Sequence, residues 1–158
     1  YNRLVKAPGL RLEEFEKGLS ATFEIEKLDE TCYQPERIHD IGIYLNGVWL
    51  RLTPREEAYD ASNAAETIDS DIVQRHVFAG LLGIEDPRAK ELTFVGGNRD
   101  ASYLKREVDA GSHDLAVTLA PVTIEQFIDV CRQNRIMPPK STWFQPKIRS
   151  GLVMALLG

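Results

Sequence analysis

The feature that most constrains this chain is the dipeptide Asn46-Gly47, set between two alternating apolar segments, 40–45 (DIGIYL) and 48–53 (VWLRLT). A two-residue connection between antiparallel strands needs positive φ at both positions, and Asn and Gly adopt it with little strain. The pattern predicts a type I′ hairpin, and hence an antiparallel sheet in which Tyr44, Trp49 or Leu50 lie on defined faces as core or cross-strand packing.

Around this hairpin the periodicity changes several times. Leu12, Phe15, Leu19 and Phe23 recur at spacings of three and four, the apolar stripe of an amphipathic helix, and the segment 23–28 (FEIEKL) then alternates as a half-buried strand does. Residues 29–39, with Pro35 inside, read as a loop, and 54–67 as a polar connection. Asp69 is the expected cap of a helix whose stripe includes Ile72, His76, Ala79 and Leu82, with Gly83 at its end. His76 lies among apolar neighbours there, so a hydrogen-bonded core or boundary histidine is favoured over a catalytic one.

From Leu92 the texture becomes α/β. The strand 92–95 (LTFV), a turn at Gly96-Gly97-Asn98-Arg99, a helix capped by Asp100 that carries Leu104 and Val108 and ends at Gly111, and the strand 115–120 (LAVTLA) form a βαβ unit, for which parallel strands are expected. After Pro121, Thr123 and Gln126 have the spacing of a capping box. The helix it opens is expected to bury Phe127, Ile128 and Cys131. The predicted class is α+β: an antiparallel hairpin plus a βαβ unit in one mixed sheet with packed helices. Residues 1–158 read as a single domain, divisible into a helix-plus-hairpin part (1–67) and a βαβ part (68–158).

Composition narrows the function classes. Of the 158 residues, 43% are hydrophobic and 27% charged, the balance of a chain with a real core and little disorder. The apolar run 151–158 is far shorter than the roughly 20 residues that cross a bilayer, so it is expected to be a packed strand or helix. No export signal is present, and Tyr1 opens the chain without an initiator Met, so the sequence reads as a cytoplasmic fragment of a longer protein. Cys32 and Cys131 have no CxxC pairing and the three histidines no metal-binding spacing, so buried free thiols and no metal are expected. No cofactor is required. All 24 acidic residues precede Arg132, whereas Arg132, Arg135, Lys140, Lys147 and Arg149 follow the last of them. An acidic body with a basic C-terminal segment argues against broad nucleic-acid binding and allows one local anion site.

Two places could hold that anion. Gly96-Gly97, between a strand and a helix, can bring backbone N–H groups and the positive helix end to an anion, with Arg99 adding charge and Asp100 subtracting it. The third glycine of a dinucleotide fingerprint and the Gly-Lys-Ser/Thr end of a phosphate loop are lacking, so a plain tight turn is the competing reading. The second place is the strip 137–151, in which Pro138, Pro139 and Pro146 stiffen a backbone that carries Lys140, Ser141, Thr142, Lys147, Arg149 and Ser150. Cations and hydroxyls in a rigid frame suit phosphate or carboxylate. The competing reading docks the strip on the acidic body, with Trp143 and Phe144 in the core. If the sheet is parallel here, the turns at Gly96 and Pro121 lie at its carboxyl edge, and a strand through Trp143-Phe144 would carry Lys147 and Arg149 back toward Gly97.

The strip MPPKSTWFQPKIRSGL resembles the C-terminal signature of domain-of-unknown-function family 1015, a bacterial and archaeal family, and the likeness extends to YNRLVK, LLGIEDPR and FVGGNRD. It covers the chain in order, with residues 29–68 matching only in texture. The resemblance implies a cytoplasmic prokaryotic protein of unestablished activity whose upstream half, absent from this sequence, is ParB-like. Nucleotide or phosphate handling is the implied chemistry, and no catalytic residue is assigned by it. The resulting expectation is a phosphate- or nucleotide-type anion-binding wall, formed by Lys140, Ser141, Thr142, Lys147, Arg149, Gly96, Gly97 and Arg99 and completed by the upstream half. The alternative is a non-catalytic interaction module whose basic strip packs on that half.

Overall fold

The structure is a computed structural model that describes residues 1–142. Among these residues one six-stranded sheet carries four α-helices, in the chain order β1 (Asn2–Val5), α1 (Leu12–Leu19), β2 (Phe23–Leu28), β3 (Ile41–Leu45), β4 (Val48–Pro54), α2 (Asp69–Val73), β5 (Leu92–Val95), α3 (Ala101–Asp109), β6 (Leu115–Leu119) and α4 (Ile124–Arg132). The spatial order is β2-β4-β3-β6-β1-β5. The α+β class is as expected, but the sheet is not mixed, since each of its strand pairings is antiparallel. Strands β5 and β6 do run parallel, because both pair antiparallel with β1, which lies between them. The expected βαβ unit is therefore split by the first strand of the chain.

The hairpin is where the sequence places it. Asn46 and Gly47 have φ of 49° and 81°, and Tyr44 faces Trp49 in the register. Alternation then sorts the side chains onto two faces. Ile41, Ile43, Leu45, Leu50, Leu52, Val5, Leu115, Val117 and Leu119 meet Phe15 and Leu19 of α1 and Ile72 and Val73 of α2. On the other face Leu4, Tyr44, Trp49, Val95 and Ala116 meet Ala101 and Leu104 of α3. All five residues of β3 and all five of β6 are buried, as central strands covered on both faces must be. Each fully buried aliphatic or aromatic side chain contributes roughly 1.5–3 kcal/mol relative to exposure.

Two expected details differ. Asp69 does not cap α2. It is the first helical residue, and its carboxylate accepts hydrogen bonds from the His39 backbone N–H at 3.0 Å and contacts His39 Nδ1 at 3.0 Å. Beyond Val73 the helix widens to a π-helical turn, Gln74–Ala79, which rotates Val77 and Phe78 into the core in place of His76 and Ala79. His76 sits at the boundary, its Nε2 2.6 Å from the Ala58 carbonyl and its ring edge-on to Phe23.

The second difference is α4. Thr123 and Gln126 form the anticipated capping box, but the helix buries Val130 alone. Phe127 and Ile128 remain 38% and 39% exposed, Ile124 is 73% exposed, and Cys131 is exposed. Val130 packs with Ala64 and Ile68, and Gln133, itself exposed, holds the same segment through the Ala64 N–H and the Ser62 carbonyl. Docked through these contacts, the helix leaves its more hydrophobic side open.

Gly42 marks the closest approach in the sheet. A Cβ there would lie 2.1 Å from Thr118 Oγ1 and 2.8 Å from Tyr33 Cδ1, and Thr118 Oγ1 donates to the Tyr33 carbonyl at 3.0 Å. The glycine thus lets the 29–40 loop lie flat on the α3 side of β3 and β6. Gly42→Ala is expected to destabilise the protein by about 1–3 kcal/mol through overpacking, read as a lower urea midpoint with an unchanged denaturant slope.

Candidate functional site

The inserted strand creates a broad concavity. Neighbouring strands are ~4.8 Å apart, so with β1 between them the connections that leave β5 and β6 are separated by about 10 Å. Over the start of β1 they enclose a cleft of about 950 Å³. One wall is the turn into α3 (Gly97, Asn98, Arg99, Asp100) with Ser102, Tyr103 and Arg106. The other is Pro121, Val122, Thr123, Ile124 and Phe127. Ser141 and Thr142 complete the lining, together with residues 34–36 and Tyr1.

The floor is a polar clasp. Asn2 is buried, and its Oδ1 accepts from the Leu119 N–H at 3.0 Å while its Nδ2 donates to Gln34 Oε1 at 3.0 Å. Gln34 Nε2 in turn donates to the Leu119 carbonyl at 2.9 Å. The Asn2 side chain thereby continues the β1–β6 ladder beyond its last backbone pair.

Beside Asn2 stands the least expected residue of the site. Arg3 is 4% exposed, and among the described residues no carboxylate pairs with it. Its guanidinium lies over the Phe94 ring at 4.4 Å and donates to the Lys140 carbonyl at 3.3 Å and the Pro139 carbonyl at 3.5 Å. Burial pushes its pKa down to about 10, which leaves it charged at neutral pH. A buried cation answered only by carbonyls and a π face holds those carbonyls in place, and so positions the strip that contains Ser141 and Thr142. Lys140 adopts a left-handed φ of 53° in this grip. Nothing about Arg3 in isolation announces this role; the nearest cue is a charge directly before the apolar pair Leu4-Val5.

Of the anticipated anion-binding residues, the fold brings Gly97, Arg99, Ser141 and Thr142 to one cleft. Gly96 stands behind them, its carbonyl closing the turn by accepting from the Arg99 N–H at 3.1 Å. Lys140 does not line the cleft; its ammonium lies over the Tyr1 ring at 5.7 Å. Lys147 and Arg149, the expected returning strand and the run 151–158 lie outside the described residues. Arg106, which sequence reasoning missed, adds a second exposed guanidinium. It stands two turns into α3, on the side of the helix that looks over the cleft, a placement visible only once the helix is docked.

The electrostatics are mixed. The α3 N-terminus is already occupied by the Asp100 carboxylate, which caps Tyr103 N–H at 3.0 Å and accepts from Ser102 Oγ at 2.7 Å. Those two bonds, the hydroxyl first, hold its pKa below the usual carboxylate value. The helix end is therefore not the anion seat that the Gly96-Gly97 turn suggested. The cations are Arg99, stacked on Tyr103 at 4.8 Å, and Arg106, and neither makes an ion pair among the described residues. Glu36 is a second carboxylate in the lining. Ser141 is 8% exposed, and its Oγ has no hydrogen-bond partner among the described residues. A buried hydroxyl without a partner is a costly arrangement, and Ser70 Oγ and His113 Nδ1 share it away from this lining. Among the described residues no three His, Cys, Asp or Glu side chains gather to hold a metal, and no helix is long and apolar enough to cross a membrane.

No protein-family model, curated protein or solved structure matches the chain. The likeness to family 1015 rests on the quoted motifs alone.

Arg3→Met is expected to leave the global unfolding midpoint within about 1 kcal/mol, because a buried charge is removed along with its bonds. The strip should nevertheless loosen. The Ser141 amide, which donates to the Pro138 carbonyl at 3.3 Å, should exchange its hydrogen at least about tenfold faster, the equivalent of roughly 1.5 kcal/mol of charged hydrogen bonding. Unchanged Ser141 exchange would show that Arg3 does not position the strip.

Proposed function

We propose that the cleft over β1 is the phosphate- or nucleotide-type anion-binding wall of a composite site in a cytoplasmic protein, completed by the ParB-like upstream half that the resemblance implies. The observation that carries this reading is the joint placement around one concavity of two guanidiniums, Arg99 and Arg106, that make no ion pair among the described residues, although Arg106 acts on Asp100 at longer range. Guanidinium groups offer planar paired donors that match phosphate oxygens. Asn98 and Thr142 supply further polar groups. No nucleophile or general base is assigned, so binding is the proposed role and catalysis is left to the partner half.

A second reading, a non-catalytic module whose basic strip serves packing, is favoured by Lys140, whose side chain turns to Tyr1 and whose carbonyl is held by Arg3. Lys140→Ala tests this second reading. Loss of apo stability with ligand-induced stabilisation retained supports packing, whereas unchanged apo stability counts against it.

The charge of the cleft gives a sharper test. On the whole gene product, thermal shift and calorimetric titration with inorganic phosphate, adenosine monophosphate and other phosphorylated metabolites should reveal binding that weakens about tenfold in Arg106→Ala, the loss of one charge-assisted contact of roughly 1.4 kcal/mol. Asp100→Asn keeps a competent helix cap but removes an opposing charge, so it should tighten the same ligand severalfold. Binding indifferent to both substitutions would exclude this cleft as the anion site.

A further inference from the structure

The two walls of the cleft differ in chemistry, and the difference defines the guest. The α3 wall carries Arg99, Arg106, Asn98 and the capped Asp100. The α4 wall is Pro121, Val122, Ile124 and Phe127, and Ile124 is 73% exposed although it opens a helix whose cap is fully formed. A single exposed isoleucine on a convex surface is ordinary. Here it belongs to a contiguous apolar wall inside a concavity, the setting in which ligand pockets place their hydrophobic contacts. The intervening strand sets the walls about 10 Å apart. An inorganic phosphate at Arg99 and Arg106 cannot reach the α4 wall. A polyphosphate is disfavoured too, because Asp100 and Glu36 bring two negative charges to the same lining as the two guanidiniums.

We infer that the guest is an organic monophosphate with a flat or apolar body, its phosphate at Arg99 and Arg106 and its body on Pro121, Val122 and Ile124. This deepens the anion reading and rests on it. The shape of the site supports an elongated guest independently of charge, since the clasp of Asn2, Gln34 and Leu119 forms a floor between the walls with its polar groups already satisfied by one another. A body lying across that floor displaces water without leaving protein groups unpaired.

The test uses three probes on the whole gene product, 1-naphthyl phosphate, 1-naphthol and inorganic phosphate, with calorimetry or naphthyl fluorescence as the readout. Naphthyl phosphate is expected to bind at least tenfold more tightly than either half alone. Ile124→Gln, at an exposed position where the fold is not at risk, should remove about tenfold of that affinity and leave inorganic phosphate unaffected. Arg106→Ala should weaken naphthyl phosphate and leave naphthol unaffected. Inorganic phosphate binding as tightly as naphthyl phosphate, or an Ile124→Gln variant with unchanged affinity, overturns the apolar seat while the anion site stands. Absence of binding by all three probes, or binding insensitive to Arg106→Ala, overturns both.

Discussion

The architecture depends on one insertion, the placement of the four-residue strand β1 between β6 and β5. Its backbone satisfies two neighbours at once, and every one of its residues is buried. Without it the strands joined by α3 would have no ladder between them, because a strand edge left unpaired in the interior is expensive. With it those strands are held two spacings apart, and the connections that leave them diverge. The cleft is the direct geometric consequence. It is a gap of topology rather than a hollow carved by small side chains.

The same strand links fold to site through two polar residues. Asn2 extends the ladder with its amide and forms the cleft floor. Arg3 reaches in the other direction and binds the carbonyls of Pro139 and Lys140. Burying a guanidinium is tolerable because its charge stays delocalised and its donors find carbonyl oxygens and the face of Phe94. A lysine at that position would present a point charge with a tighter hydration shell and no planar fork. The start of the chain thus organises its far end, and the strip that carries Ser141 and Thr142 is set by residues well over a hundred positions earlier.

Short-range chemistry was legible. The Asn46-Gly47 turn, the Asp100 cap, the Thr123 and Gln126 capping box and the positive φ of Gly83 and Gly111 all appear where local rules put them, because each is decided within a few residues. Long-range choices were not. Asp69 looked like a cap because acidic residues favour that position, yet its carboxylate is taken by His39 from a distant loop. Phe127, Ile128 and Cys131 looked like the buried side of α4 because they are hydrophobic, yet Val130 is its buried residue, because the helix docks through Val130 on Ala64 and Ile68 and through Gln133 on the backbone at Ala64 and Ser62. At the cleft, glycine-rich texture pointed to the turn before α3, and that turn forms part of the lining, but Arg106 joins Arg99 there and the helix end belongs to Asp100.

From its residues alone this chain determines a hairpin, the strands that became β2 to β6, the caps of α3 and α4, and a concentration of cations after the last acid. These follow from torsional preference and local periodicity, which act over a few bonds. Which strand divides the βαβ unit, which face of α4 is left open, and which donors meet over β1 were decided only by the tertiary structure. Each depends on hydrogen bonds and packing between segments far apart along the chain, and pairing across such distances leaves no periodic trace in either partner.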